Sequence, residues 1–326
     1  MKKILWIAVI IVIIGAVVYK VQSTPEDQPE LSDEIQIAAT IPPIAAIAQE
    51  IVGDEATVHS ILPPGGSPHT FDVTPSVLKN LSNTKMIFAI GHGLDVWTND
   101  ITSALPEQSQ VIVVDNNIAL IHTTHSHDHH GEEHEDDHHD EEHENNHENE
   151  EEYGDEEKVI DPHYWLDPLR AARIGKTIAT ALATEYPENA AYYNERSEMF
   201  SQKMTELHKE TTQSLSTLSN RNLIVFHDSW KYLADSFDLE IVGVFEQAAG
   251  KEPTPAQLIE IQEHAGEYDI PALFSEPQLS PDVIRPFVQD LGLELRVLDP
   301  LGGIEKRMTY EELVRYNANT IIEAYK

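Results

Sequence analysis

Short apolar runs, each long enough for one strand, alternate with helical segments in two separate parts of the chain. These strand-like runs are residues 35–39, 57–62, 86–90 and 111–114 in the first part, and 223–226, 240–244, 272–274 and 294–298 in the second. Alternation of this kind predicts parallel sheets covered by helices. We therefore expect an α/β fold with two lobes, each built on a central, mostly parallel sheet with flanking helices.

Residues 169–218 lie between the two parts and have helical propensity throughout. One break is indicated at Tyr186–Pro187, and the stretch 189–218 contains neither Gly nor Pro, which favours one long helix. The prediction is an N-terminal lobe over residues 35–168, a rigid helical link, and a C-terminal lobe over residues 219–326. Two similar lobes joined in this way predict a cleft between them.

A tract rich in histidine and acidic residues, 122–157, interrupts the first lobe. Ten of the seventeen histidines lie between His122 and His147, mixed almost wholly with Asp, Glu and Asn. Such a segment cannot bury a core and is expected to be a disordered loop. It can be interpreted as a solvated acidic spacer or as a weak, multi-site zinc collector. We favour the collector, because neutral imidazole is the commonest metal ligand.

The N-terminus has the pattern of an export signal: two lysines, sixteen apolar residues from Ile4 to Tyr19, and a polar stretch. The apolar run is just long enough to span a bilayer, and no cysteine is present for lipid attachment. We expect residues 1–21 to be an uncleaved membrane anchor, with cleavage as the alternative, and residues 22–34 to be a linker. Everything after Lys20 is then extracytoplasmic.

Charge and cysteine usage exclude several classes of protein. The formal net charge of −36 argues against a nucleic-acid partner, because phosphate binding needs clustered Lys and Arg. The absence of cysteine excludes disulfides, thiolate metal sites and a cysteine nucleophile. Any metal site must therefore be built from histidine and carboxylate.

Three candidate ligands lie close to the ends of predicted strands. His69 belongs to GGSPHTF (65–71), just after the strand that ends at Leu62, while His227 and Asp299 directly follow the strands 223–226 and 294–298. In open α/β sheets, ligands bind outside the carboxyl ends of the strands. These residues are therefore expected where a site would be built.

A fourth candidate, His163, lies in DPHYWLDP (161–168), where two prolines restrain the backbone. Three imidazoles and one carboxylate suit a four-coordinate zinc ion, and Asp161, Asp167 or Asp228 could orient the rings. Any one of these histidines taken alone could equally be a hydrogen-bonded loop residue. Their shared placement favours the metal site.

Five motifs resemble those of the zinc and manganese solute-binding proteins of ABC transporters, in their order and spacing. They are GGSPHTF with the following TPS (74–76), DPHYWLDP, FHDSW (226–230), FSEPQLS (274–280) and LDPLG (298–302). The resemblance covers about residues 35–326. It implies two α/β lobes bridged by a long rigid helix, a metal ion clamped between them, and a membrane permease as partner. By motif, His69 and His163 are the ligands of the N-terminal lobe, and His227 and Asp299 those of the C-terminal lobe.

The resemblance also implies the cargo. Manganese binders of this family typically have Glu at the third position, whereas His227 and the acidic, histidine-rich loop before the second ligand resemble the zinc branch. Zn²⁺ is therefore expected as the transported substrate, with manganese, nickel or copper as alternatives, since their ligand preferences overlap. The chain lacks the lipidated cysteine of many relatives and the cysteine pair of some zinc members.

Two other kinds of function are compatible with a site of three histidines. A zinc-dependent hydrolase uses the same ligands with an open fourth position. Outside the histidine-rich tract no HExxH pair occurs on a predicted helix, and there is no nucleophile elbow or evident general base, so we do not expect an enzyme. A metal-buffering or adhesion protein at the cell surface is the third class, and the sequence does not separate it from an importer component.

Overall fold

The computed structural model of the protein describes residues 37–107, 109–124, 158–246, 253–278 and 281–326. Residues 36–326 form one compact unit. The expected anchor and linker, and almost all of the histidine-rich tract, lie outside the described residues. Among the helices that are described, none combines the length and the apolar character that a membrane span requires.

The N-terminal lobe contains a four-stranded parallel sheet with strand order β2-β1-β3-β4. Its strands are β1 (Ile37–Ala39), β2 (Val58–Ser60), β3 (Met86–Ala89) and β4 (Gln110–Val113), and its helices are α1 (Pro42–Val52), α2 (Pro75–Asn80) and α3 (Thr98–Thr102). β1 and β3 are wholly buried at the centre of the sheet. Helix α1 begins with two prolines, which suit a first helical turn because their N atoms need no partner there.

The two flanks of the histidine-rich tract form an antiparallel hairpin. β5 (His122–Thr124) pairs with β6 (Lys158–Ile160). The strands are three residues long and do not match any run predicted from the sequence. The hairpin brings both flanks of the tract to one place, directly before His163.

Two long helices follow. α4 (Pro168–Glu185) and α5 (Ala190–Leu215) are separated by a 3₁₀ turn at Pro187–Asn189, which confirms the predicted break. Lys203 on α5 binds Glu50 of the first lobe at 3.1 Å and Glu311 of the second at 3.2 Å. A single helix therefore contacts both lobes, as predicted.

The C-terminal lobe repeats the parallel design, with strand order β10-β9-β7-β8. Its strands are β7 (Asn222–His227), β8 (Glu240–Glu246), β9 (Ala272–Ser275) and β10 (Glu294–Val297), and its helices are α6 (Lys231–Phe237), α7 (Pro255–Glu267), α8 (Pro281–Asp290) and α9 (Tyr310–Ala324). Two parallel-sheet α/β lobes joined by a long helix confirm the predicted fold class.

Buried polar contacts join the lobes beside β6. Trp165 donates its indole N–H to the carbonyl oxygen of Pro300 at 2.7 Å, and its own carbonyl accepts from the Tyr310 hydroxyl at 2.7 Å. On α6, the Tyr232 hydroxyl donates to the Asp161 carbonyl and accepts from the Ile121 amide, both at 2.8 Å. Because unmade buried hydrogen bonds are costly, these contacts hold the segment around residue 163 against the second lobe.

Candidate metal centre

Three of the four predicted ligands meet between the lobes. His69, His163 and His227 each offer a ring nitrogen, and the three nitrogens lie within 4.8 Å of one another. The ring centroids are 5.2 to 5.5 Å apart. Two of these residues belong to the first lobe and one to the second, so an ion held by all three would bridge the lobes.

His69 is carried by a short, proline-started 3₁₀ turn, Pro68–Thr70, in the loop after β2. The turn is tied to the lobe through its backbone, because the buried indole N–H of Trp97 donates to the Pro68 carbonyl at 3.1 Å. His69 itself is exposed, unlike the other two histidines. It is the ligand candidate that faces solvent most directly.

His163 is fixed by the carboxylate two residues before it. Asp161 Oδ1 accepts from both the backbone N–H and the Nδ1 of His163, each at 2.9 Å. Burial alone would raise the pKa of Asp161, but the hydrogen bond and charge of His163 lower it. An ionised Asp161 accepts a hydrogen bond from the Nδ1–H of His163, and this leaves Nε2 of His163 free for a metal ion.

His227 is the last residue of β7, which places its ring at the carboxyl end of the second sheet. Its Nδ1 lies 3.5 Å from Oε2 of Glu276, a buried carboxylate directly after β9. Burial lowers the pKa of His227, but the contact with Glu276 and the charges of Asp228 and Glu246 outweigh this effect and raise it. The second lobe therefore supplies an imidazole with negatively charged carboxylates close to it.

The three rings also act on one another. Desolvation, followed by the positive charge that His163 and His227 can carry, lowers the pKa of His69 to about 3. His69 is exposed as a residue, yet its ring lies against two other imidazoles, and that packing explains the desolvation. Near neutral pH its ring is uncharged, which is the form that binds metals.

A small cavity of about 30 Å³ adjoins the three rings. Its lining from the second lobe includes the side chains Ser229, Glu246, Glu276 and Gln278. The volume suits one ion or one water molecule, since a cavity needs roughly 10–15 Å³ of such space to hold a water. A small ion fits this site.

The structure does not bring Asp299 into the group of three histidines. Its carboxylate turns to its own loop, where Oδ1 accepts from the backbone N–H groups of Leu301 and Gly302, at 3.0 and 2.9 Å. Its other oxygen, Oδ2, pairs with Arg307 at 2.9 Å. The residue follows β10, as expected, and is buried, but its side chain points to partners of its own.

Of the three carboxylates expected to orient the rings, only Asp161 does so among the described contacts. Asp167 caps α4 by accepting from the Leu169 amide, and Asp228 pairs with Lys231. Glu276 was not singled out in the sequence. The same signal could have found it, because it follows a strand directly, as His227 and Asp299 do.

The remaining histidines of the described chain do not belong to the three-histidine group. His92 bonds Asp115 through Nε2 at 2.9 Å. His208 stacks on Phe237, with ring centroids 5.3 Å apart, and contacts the Ser236 carbonyl. His92 and His208 therefore have structural partners of their own and serve as controls for the site.

A family model described as "Zinc-uptake complex component A periplasmic" matches residues 37–324. The high-affinity zinc uptake system protein ZnuA of Brucella abortus is 29% identical over 300 residues, which cover 87% of this chain and 90% of that protein. The zinc-binding protein AdcA of Streptococcus pyogenes is 25% identical over 305 residues, 92% of this chain. The chain spans only 58% of the length of AdcA.

A crystal structure of ZnuA has the same fold. It superimposes with a TM-score of 0.74 at 26% sequence identity, covering 90% of this chain and all of that one. The three-histidine group lies within the residues matched by the family model.

Proposed function

We propose that this chain, which belongs to the family of periplasmic zinc-uptake complex component A, captures zinc outside the cytoplasm and delivers it to the membrane permease of an ABC importer. The observation that carries the proposal is the convergence of His69, His163 and His227 from two lobes. The ion is the cargo of the protein. The fourth coordination position of the ion, beyond the three histidines, therefore serves capture and release rather than catalysis.

Zinc is favoured over manganese by the donor atoms. Imidazole nitrogen suits zinc, whereas manganese prefers carboxylate, carbonyl and water oxygen. All three candidate donor atoms are histidine ring nitrogens. The carboxylates of Asp161 and Glu276 contact the Nδ1 atoms of His163 and His227. In this arrangement the acidic groups strengthen the imidazole ligands instead of replacing them. A manganese cargo is the second candidate within the same importer class.

We expect zinc titration to separate one tight site from several weak ones. The tight site is the three-histidine group, and the weak class is the histidine-rich tract between β5 and β6. Replacing residues 126–156 by a two-residue Asn-Gly turn should remove only the weak class, since Thr124 and Lys158 already pair across an antiparallel hairpin. Competitive titration with a chelator measures both classes. Loss of the tight site in this variant would contradict the assignment of the three histidines.

Asp299 remains the prediction for the fourth ligand, and it has to leave Arg307 to reach an ion. Because it is buried and hydrogen-bonded, Asp299→Ala should lower the free energy of unfolding by about 3 kcal/mol or more. Zinc affinity should fall less than for a histidine variant, because water can take the fourth position. Denaturant unfolding without zinc and zinc titration measure the two effects separately.

The matched control for Asp299 is Arg307→Gln, which breaks the same ion pair and keeps the carboxylate. It should lower stability without weakening zinc binding. A loss of affinity in Asp299→Ala as large as that of a histidine variant, with Arg307→Gln unaffected, would establish Asp299 as a full ligand.

A further inference from the structure

The carboxylate of Glu276 lies beside the ring of His227, and its two oxygens contact different partners. Glu276 is 5% exposed. Its Oε1 accepts from the Ser229 hydroxyl and from the indole N–H of Trp230, both at 2.9 Å, while Oε2 lies 3.5 Å from Nδ1 of His227. A buried carboxylate held from one side by two donors has little freedom to turn. Its second oxygen, Oε2, therefore stays on the side that faces the imidazole.

We propose that Glu276 is a positioning residue that sets the tautomer of His227, with the proton on Nδ1 and Nε2 bare for the metal. The inference rests on the proposed function and deepens it. A neutral imidazole has one N–H, and an ionised carboxylate can only accept. Nδ1 facing Oε2 must then carry the proton. His163 contacts Asp161 in a similar way through a shorter hydrogen bond, at 2.9 Å, so each lobe holds one histidine whose Nδ1 faces a carboxylate.

The chemistry of Glu276 makes its nearly isosteric replacement informative. In Glu276→Gln the amide has one oxygen and one NH₂ group. The indole N–H of Trp230 can only donate, and with Ser229 beside it the amide oxygen stays at the Oε1 position. The NH₂ group then faces Nδ1 of His227, which has to accept. The proton moves to Nε2, and this is the tautomer that cannot bind the ion.

The substitution should therefore weaken tight zinc binding by about 10- to 100-fold, the usual range for lost partners of metal-bound histidines. Glu276→Asp should lose less, because it keeps an acceptor-only group although it is shorter. A role in shape alone would give the opposite order, since Gln matches Glu in size and Asp does not. Competitive zinc titration of the full chain ranks the three proteins.

Asp228→Asn is the matched control. Asp228 directly follows His227 and its carboxylate pairs with Lys231, so this change removes a negative charge close to His227 and leaves the contact at Nδ1 in place. Its effect on zinc affinity should stay well below that of Glu276→Gln if positioning, and not charge, is what counts. An equal loss in the two variants would overturn the proposal in favour of a general charge effect.

The tautomer itself can be read without metal. Two-bond ¹H–¹⁵N correlation spectra of the zinc-free chain should show His227 protonated on Nδ1, and on Nε2 in Glu276→Gln, with the signals assigned from His227→Gln. An unchanged tautomer, or unchanged zinc affinity in Glu276→Gln, would overturn the inference. If the unaltered chain binds no zinc tightly, the proposed function fails, while the spectra still decide the role of Glu276.

Discussion

Replacement of His163 by alanine is expected to weaken tight zinc binding by about two to three orders of magnitude. Structural zinc sites contribute roughly 10–16 kcal/mol through about four ligands, so one ligand corresponds to about 3 kcal/mol or more. His163 is 5% exposed and already oriented by Asp161, so no other described histidine can take over its position. His69→Ala and His227→Ala should have effects of the same order. Competitive titration of the chain without residues 126–156 measures the loss free of the weak sites.

The controls are His92→Ala and His208→Ala. Both remove an imidazole that has a structural partner outside the three-histidine group. Zinc affinity should remain within a few-fold of the unaltered protein, with at most a modest change in melting temperature. If these variants lose zinc as severely as His163→Ala, the common cause is a folding defect, and the assignment of the ligands is wrong.

Zinc should also stabilise the fold strongly at neutral pH and only weakly in acid. Binding to the folded form alone adds roughly 4 kcal/mol when free zinc is about a thousandfold above its dissociation constant. For a protein of this size that is a rise in melting temperature on the order of 10 °C. Thermal unfolding with and without one equivalent of zinc, at about pH 7.5 and about pH 5, spans the ordinary titration range of imidazole.

The sign of this pH dependence follows from the two shifted histidines. The raised pKa of His227 means that the zinc-free site takes up a proton there as the pH falls, and zinc must displace it. The pKa of His69, lowered to about 3, means that this ring stays neutral and competes little. In the zinc-free protein the two shifts affect stability in opposite directions: His227 favours the fold on protonation, and His69 opposes it. The informative quantity is therefore the rise in melting temperature that zinc causes at each pH. An equal rise at both pH values would indicate carboxylate ligation.

The fold class could be predicted from the sequence because strand-like apolar runs and helical segments alternate regularly along it. All eight strands of the two sheets coincide with apolar runs, and the helical break falls at Tyr186–Pro187, where proline prevents the helix from continuing. The β5–β6 hairpin could not be predicted in this way. Its three-residue strands flank a long tract instead of a turn, so no short-range hairpin signal joins them.

At the site, the sequence predicted where residues lie, but not the direction in which each side chain points. The rule that ligands gather at strand ends located His227, Asp299 and, had it been applied there, Glu276. It could not give the direction of each side chain. Asp299 turns to two backbone N–H groups and Arg307, because a buried carboxylate needs several donors and its own loop provides them. His163 follows a different signal, a motif between two prolines, and the strand-end rule alone would have missed it.

Three of the four tryptophans of the chain lie next to the three candidate ligands, one beside each. Trp97 bonds the carbonyl before His69, the ring of Trp165 lies 5.3 Å from that of His163, and Trp230 bonds the carboxylate behind His227. All three indoles are buried. Events at any one of the histidines therefore change the surroundings of a particular fluorophore. Comparing single Trp→Phe variants should therefore assign changes in the intrinsic fluorescence to one histidine at a time. The order in which the three histidines bind an arriving ion can then be followed in time.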